Sequence, residues 1–318
     1  MLRYAIRRLL LAVPLTIAIT MLCFAIVRLA PGGPLAGADP RVRAADRDRL
    51  ERVLGLDRPL VTQYVRWLAG VARGDLGRSF TTGQPVSAMI TERLPATLEL
   101  MGAALLVSLV VGIGLGIAAA RWPGSWLDRA LAVATLAGNS VPIFWLGVLA
   151  ILIFASAWGW FPAGGRATLG TEFSWGDRWR HLVLPVTVLV MAQVPLWSRH
   201  VRASLIERLQ DEHLRAARAR GMSERRIWMR HALPAALVPL VTLLGLQIPM
   251  LFTGAVITET VFAWPGLGRL FHDGMSRFDY PRVLGILAVA AVLTIAGNLA
   301  ADLACARLDP RLRERSAT

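Results

Sequence analysis

The segment Arg215-Ala216-Ala217-Arg218-Ala219-Arg220-Gly221, followed by His231-Ala232-Leu233-Pro234, lies between two long apolar runs. The runs 182–198 and 235–258 contain no Asp, Glu, Lys or Arg. A helix needs roughly 20 apolar residues to cross about 30 Å of hydrocarbon, and both runs meet or approach that length. The charged segment is therefore predicted to form a loop between two membrane spans.

Composition indicates a membrane protein throughout, because 55% of the 318 residues are hydrophobic and only 18% are charged. One of the candidate spans, 182–199, contains Pro185 and Pro195, which a span tolerates where neighbouring helices satisfy the freed backbone groups. The predicted fold is an all-α integral membrane protein. Its six predicted transmembrane helices lie at 9–30, 96–120, 130–156, 182–199, 235–260 and 283–304.

The arginines predict the orientation, since the chain has no lysine and short cytoplasmic loops are rich in positive charge. Arginines cluster in the N-terminal residues, the 121–129 turn, the 199–234 loop and the tail after 304, which fall on one side of a six-span chain. Both termini are therefore predicted to be cytoplasmic. The net charge of +14 is explained by these flanks and does not require nucleic acid.

Four regions are expected along the chain. Residues 1–30 form the first transmembrane helix, and residues 31–95 form an extracytoplasmic cap with a short helix over 42–54 and an amphipathic one over 59–72. Residues 96–308 form the core, which includes the cytoplasmic loop 199–234, and 309–318 form a cytoplasmic tail.

The inner loop has the composition of a helix, a sharp turn and a second helix. The first helix is predicted over 204–220, with Gly221 in the left-handed position that ends it and Ser223 capping the second. Small residues would let another surface approach this knob closely, and arginines would surround the contact. Composition alone leaves two readings open: a docking site for a cytoplasmic partner, or a basic loop lying on anionic headgroups.

Ionisable residues within spans are costly, so each is a candidate functional residue. Arg28, Glu99 and Glu259 lie near the outer ends of their spans, where they are expected to reach the interface or an internal partner. A specific hypothesis pairs Glu259 with Arg28 at an outer gate. The small-residue run Gly112-Ile113-Gly114-Leu115-Gly116 is expected to allow close helix packing.

The inner loop resembles that of the integral-membrane subunits of ATP-binding-cassette importers, whose pattern is E-A-A, three residues, Gly, nine residues, I-x-L-P. Arg215-Ala216-Ala217, Gly221 and His231-Ala232-Leu233-Pro234 match this spacing, with Arg215 in place of Glu and His231 in place of Ile. Further short motifs resemble the dipeptide, oligopeptide and nickel branch, in its first-permease subfamily. They are Leu29-Ala30-Pro31-Gly32, Leu56-Asp57-Arg58-Pro59, Gly74-Asp75-Leu76-Gly77 with Ser79, Arg93-Leu94-Pro95-Ala96-Thr97, Glu259-Thr260-Val261-Phe262, Trp264-Pro265-Gly266-Leu267-Gly268 and Leu308-Asp309-Pro310-Arg311.

This resemblance implies a type I importer permease in a bacterial or archaeal inner membrane. Such a permease pairs with a second homologous permease, two cytoplasmic ATPases and an extracytoplasmic solute-binding protein. The cargo implied is short peptides, with nickel or another small solute as the alternative. The implied ATPase-coupling residues are Arg215, Ala216, Ala217, Arg218, Gly221, His231, Leu233 and Pro234.

The chain itself is not expected to be an enzyme or to hold a cofactor or metal. A Walker A loop requires lysine, which is absent, so ATP and Mg are expected in partner subunits. A membrane-embedded enzyme is disfavoured because no H-E-x-x-H or G-x-S-x-G motif is present. A remote alternative is a proton-driven secondary transporter using Glu99, Glu259 and Asp302 as a relay.

Overall fold

The computed structural model describes residues 2–29 and 57–308, which are helical apart from connecting turns and one isolated bridge between Arg78 and Pro85. The predicted helix over 42–54 and the tail 309–318 lie outside the described residues. Two π-helical turns, Ile151–Ala157 and Trp228–Ala232, continue the helices Ile143–Ala150 and Glu224–Ile227. The helices are α1 (Leu2–Leu29), α2 (Leu60–Ala72), α3 (Val86–Arg121), α4 (Trp126–Ser140), α5 (Ile143–Ala150), α6 (Trp175–Leu209), α7 (Glu212–Ala219), α8 (Glu224–Ile227), α9 (Leu233–Val261), α10 (Leu267–Ser276) and α11 (Tyr280–Leu308).

Five of these helical regions are long and apolar enough to cross a membrane. They lie in α1, α3, α6, the continuous α8–α9 region and α11, and a shorter apolar helix covers Ile143–Ala157. The predicted all-helical membrane class is therefore confirmed. The count of six spans and the cytoplasmic position of both termini stay predictions.

The predicted span over 130–156 is not one continuous helix. It is divided at Val141-Pro142 into α4 and α5, with Pro142 in the N-cap position of α5. Proline has no N–H to donate and its ring disfavours helical backbone in the residue before it, so the first helix ends at Ser140. Two helical segments end to end replace the single predicted span.

Two other spans are longer than the sequence predicts. α6 runs for 35 residues through both Pro185 and Pro195, although only 182–199 was predicted. α3 begins at Val86, inside the region assigned to the cap. Hydrophobicity detects the part of a helix that lipid would surround, whereas polar turns at either end carry no such signal.

α3 and α6 pack closely because glycines of α3 face α6. A Cβ added at Gly112 would lie 2.5 Å from the Cβ of Trp197, and one at Gly116 would lie 2.7 Å from the Cβ of Val201. Gly114, on another face, has no atom within 4 Å of an added Cβ. The expected use of this small-residue run in helix packing is confirmed.

The helix α2 lies against the C-terminal half of α1. Tyr64 is buried against Phe24 and Trp67, and its hydroxyl donates to the carbonyl of Ile17 at 3.0 Å. The predicted amphipathic helix is present as Leu60–Ala72, and its first residue, Leu60, is 41% exposed.

Candidate functional site

The inner loop forms a compact knob made of α7, the turn at Gly221 and α8. The sequence predicted one helix over 204–220, but the helix breaks at Gln210-Asp211. Asp211 has the extended backbone of an N-cap residue, with φ −58° and ψ 136°, so a new helix begins at Glu212. This break redirects the chain from the long helix α6 into the short helix α7.

Gly221 ends α7 as predicted. Its φ is +80°, and the N–H groups of Gly221 and Met222 donate to the carbonyls of Arg218 and Ala217 at 2.9 and 3.2 Å. This pair of hydrogen bonds is the Schellman arrangement, in which a left-handed residue favours glycine. The space around Gly221 is open, so the backbone conformation is what restricts this position.

The knob has a buried face and an exposed face. Leu214, Ala217 and Ile227 are buried, and they pack in one cluster with Leu205 of α6 and Leu240 of α9. Ala217 therefore packs internally and is not available to a partner. The exposed residues of α7 and the turns around α8 include Arg215, Ala216, Ala219, Arg220, Arg225, Arg226 and Met229.

Arg218 fastens the two helices of the knob together. Its Nε donates to Glu224 at 2.8 Å, and its Nη1 donates to the carbonyl of Leu209 at 3.2 Å. One guanidinium thus links the end of α6, α7 and the start of α8. Arg218, which the sequence predicts on the contact surface, therefore also makes contacts within the knob.

The second half of the motif connects the knob to the span α9. His231 lies in the π-helical turn Trp228–Ala232, and Leu233 packs against the inner cluster. Pro234 follows in the first turn of α9, where it lacks the N–H of a regular helical hydrogen bond. The widened turn precedes the proline, and the chain continues from knob to span without a loop.

Glu259 is fully buried at the C-terminal end of α9, which is the end predicted to face outward. Its carboxylate accepts the Thr97 hydroxyl at 2.7 Å and the Arg269 backbone N–H at 3.0 Å. Thr97 in turn accepts the N–H of Leu267 at 2.7 Å. Glu259 therefore satisfies the free N–H groups at the start of α10 and joins that helix to α3.

The predicted Glu259–Arg28 pair is not formed. The Arg28 guanidinium lies 5.2 Å from the ring centroid of Phe24 and 5.9 Å from that of Tyr280, on the side of the bundle where α1 meets α11. Glu259 faces α3 and α10 instead. Both residues lie toward the outer end, but on different sides of the bundle.

Close packing requires the two glycines that follow Glu259 in this segment, Gly266 and Gly268. A Cβ at Gly266 would overlap the Glu259 carboxylate, and one at Gly268 would lie 2.5 Å from the Cα of Val256. Trp264 lies in the sequence between the end of α9 and these glycines. It is fully buried and donates its ring N–H to the carbonyl of Ala96 at 2.9 Å. The motifs 93–97 and 259–268 are therefore two halves of one packed joint.

Glu99 has internal partners, as expected: Arg166 on the connection before α6, and Arg178 in the first turn of α6. It accepts from Arg166 Nη2 at 2.5 Å and from Arg178 Nε at 2.7 Å. Neither arginine was among the residues predicted to be functional. Arg166 is one of two charged residues in the tryptophan-rich connection 158–174, and this isolated charge was the available signal.

A buried polar cluster around Asp279 was also missed. Its carboxylate accepts from the Ser79 hydroxyl at 2.5 Å, the Phe80 N–H at 3.0 Å and the Thr81 hydroxyl at 2.9 Å. Arg282 lies 3.2 Å away. Burial alone would raise the pKa of Asp279, but these hydrogen bonds and the Arg282 charge hold the pKa below its usual value. The 74–85 connection is thereby tied to the start of α11.

Most of the chain matches known protein families. Residues 112–314 match the binding-protein-dependent transport system inner membrane component family, and residues 1–101 match the N-terminal model for membrane components of such systems. The chain belongs to this family. It is therefore a multi-pass inner-membrane component of a binding-protein-dependent transport system, and its knob lies within the residues that match the family.

Similar proteins align over nearly the whole chain. The oligopeptide transport system permease protein AppB of Bacillus subtilis is 40% identical, covering 97% of this chain and 98% of its own length. The di/tripeptide transport system permease protein DppB of Pseudomonas aeruginosa is 37% identical, covering 99% and 100%. The Escherichia coli K12 dipeptide permease DppB is 36% identical, covering 99% and 100%.

The fold is also similar to that of a solved transporter. An inward-facing structure of the MetNI methionine ABC transporter superposes with a TM-score of 0.57 at 19% identity, covering 70% of this chain and 96% of that one. At this identity the likeness concerns the fold alone. It confirms the importer-permease bundle predicted from the sequence.

Proposed function

We propose that this permease component carries short peptides inward as one half of a translocation path, with a second homologous permease as the other half. The relatives named as oligopeptide, di/tripeptide and dipeptide permeases support this cargo. Two cytoplasmic ATPases, which bind ATP and Mg, supply the energy. An extracytoplasmic binding protein delivers the peptide.

The knob is the surface that seats in the ATPase. The observation that carries this assignment is that one face of the knob is fixed to the bundle while the other is free. Leu214 and Ile227 are buried with Leu205 and Leu240, so α6, α7, α8 and α9 share one packed cluster. Packed side chains transmit displacement because protein interiors are dense and deform little. Movement of the knob by the closing ATPases therefore moves two spans.

The exposed face defines the partner's chemistry. Arg215, Arg220, Arg225 and Arg226 are all exposed around Ala216 and Ala219. The small side chains allow close approach of a groove, and the arginines favour acidic residues at its rim. The position of Arg215, where related loops carry Glu, fits an ATPase groove of the opposite charge.

The outer joints respond to the binding protein. Glu259 links α9 to α10 and α3, and Asp279 links α11 to the 74–85 connection. Docking of a loaded binding protein on the Glu259 joint therefore acts on α9, which is one of the two spans that the knob moves from inside. A two-state bundle biased from both sides couples delivery of cargo to ATP binding.

Reconstitution tests the proposal. The chain is co-expressed with the second permease, the ATPases and the binding protein from the neighbouring genes. Uptake of labelled di- and oligopeptides is then measured in proteoliposomes. Uptake that requires ATP and the binding protein is expected. Uptake by this chain alone under a proton gradient would support the secondary transporter instead, and ATP-dependent uptake of nickel but not peptides would correct the cargo.

A further inference from the structure

A cavity of about 440 Å³ lies between α4 and α6 at their inner ends, away from the knob's exposed face. Its wall combines two kinds of surface. Leu131 and Ala132 of α4 are part of its apolar wall, whereas Arg129, Arg199 and Arg202 bring positive charge to it. A ligand that fills this cavity therefore needs both a hydrocarbon part and an anionic part.

Two of the three guanidiniums form no ion pair with a described carboxylate. Arg202 binds Asp128 in a two-point contact, with Nε–Oδ1 and Nη2–Oδ2 distances of 2.5 and 2.8 Å. Within residues 2–29 and 57–308, no carboxylate lies within 4.0 Å of Arg129 or Arg199. The Asp128–Arg202 pair holds α4 against α6, and the other two charges remain available to a ligand.

The surrounding residues place the cavity at the depth of lipid headgroups. Trp122, on the turn that leads into α4, and Trp126, the first residue of α4, are 60% and 79% exposed, as expected of tryptophans at a membrane interface. Val133, further along α4, is 64% exposed and belongs to the hydrocarbon region. Arg129 lies between these levels in the sequence. The charged rim thus meets headgroups, and the apolar wall meets acyl chains.

We propose that this cavity binds an anionic phospholipid of the inner leaflet. The phosphate lies between Arg129 and Arg199, and an acyl chain lies along Leu131 and Ala132. Basic pockets between transmembrane helices on the cytoplasmic side suit acidic headgroups, whereas a zwitterionic lipid has no net charge to offer them. A free phosphate would satisfy the arginines but would leave the apolar wall uncovered.

Native mass spectrometry of the assembled transporter tests this site. The complex is purified in detergent and titrated with phosphatidylglycerol or phosphatidylcholine, and the bound lipid is counted. Wild type is expected to retain phosphatidylglycerol preferentially. The double variant Arg129→Ala/Arg199→Ala is expected to bind it roughly thirty-fold more weakly, since each cation near the surface contributes about a factor of five.

Two matched double variants complete the experiment. Arg129→Lys/Arg199→Lys keeps the charge and should keep most of the lipid, which shows that the Ala variant did not simply misassemble. Arg73→Ala/Arg277→Ala removes two exposed arginines at the outer end and should bind lipid as wild type does. Equal retention of both lipids, or unchanged retention in the Ala variant, would overturn the site. Binding of inorganic phosphate without preference among lipids would assign the arginines to a free anion and also overturn it. Peptide uptake is measured separately, because the lipid site does not depend on the cargo.

Discussion

At the scale of single residues, Glu259 stabilises the outer joint by accepting hydrogen bonds from Thr97 and from the backbone N–H of Arg269. Glu259→Gln keeps the size of the side chain but turns one acceptor into a donor. We expect a loss of about 1–3 kcal/mol of stability, because a buried hydrogen-bonding group loses its partner. Thermal unfolding of the purified protein in detergent measures this loss.

Glu92→Gln is the matched control, since the Glu92 side chain is 72% exposed. A Glu259→Gln protein as stable as the control would show that the joint contributes nothing. A Glu259–Arg28 pair would predict that exchanging the two charges rescues the single variant. The observed separation of the two residues predicts no rescue.

The sequence identified Glu259 as a functional suspect but not its partners. Its height in the membrane follows from counting residues along a span, and Arg28 lies near the same end. Which side of the bundle each residue faces depends on how the helices pack. The sequence of an apolar span does not indicate which other span it packs against. Thr97 and Gly268 gave no charge signal, although both stand in the motifs that resembled the family.

Asp279 gives a prediction about pH. Because its pKa is held below the usual value, its contribution to stability is present above the unfolded pKa of about 3.9 and is lost as the pH falls through the folded value. Asp279→Asn should therefore cost about 3–5 kcal/mol at neutral pH, where Arg282 is left unpaired. The difference from wild type should shrink on acidification.

Unfolding temperatures of both proteins between pH 7 and pH 3 test this behaviour. Asp57→Asn, at an exposed position, serves as the control. A difference that stays constant across the range would mean that the ionised form of Asp279 is not what stabilises the cluster.

At the scale of elements, the contact between α3 and α6 depends on which glycine of the run faces the partner helix. Gly112→Val should destabilise the protein by about 1–3 kcal/mol, because its Cβ would collide with that of Trp197. Gly114→Val adds the same side chain where no atom lies within 4 Å. Thermal unfolding of the two variants compares them directly, and equal stability would contradict the assigned face.

Helix identity was easier to predict from the sequence than helix ends. The apolar runs located the spans, and Gly221 located the end of α7, because the Schellman turn has a local chemical signal. The break at Pro142 was overlooked, since the apolar run continues through it without a charge. The break at Asp211 was overlooked because its neighbours all favour helix. Spans are located by hydrophobicity over many residues, whereas a single residue such as Pro142 or Asp211 can end a helix.

At the scale of the whole molecule, packed joints lie at the two ends of the bundle. The inner cluster connects the knob to α6 and α9, and the buried carboxylates of Glu259 and Asp279 tie the outer segments together. α9 reaches both ends, from the π-helical turn after the knob to the Glu259 joint. This continuity is the physical route by which an event in the cytoplasm would reach the outer face.

The most direct test of the knob as the coupling surface compares Gly221→Asp with Gly170→Asp in the reconstituted transporter. Both glycines have φ +80° and open space around them, so each variant carries the same backbone strain and the same new charge, but only Gly221 lies in the knob. The strain of about 1–3 kcal/mol is common to both variants, but at Gly221 it distorts the turn between α7 and α8, so Gly221→Asp should lower peptide uptake about tenfold or more. Its ATPase activity should no longer respond to the loaded binding protein, or the ATPases should fail to assemble, while Gly170→Asp keeps both activities. Undiminished uptake in Gly221→Asp, with ATPase activity still coupled to cargo, would contradict the assignment of the knob.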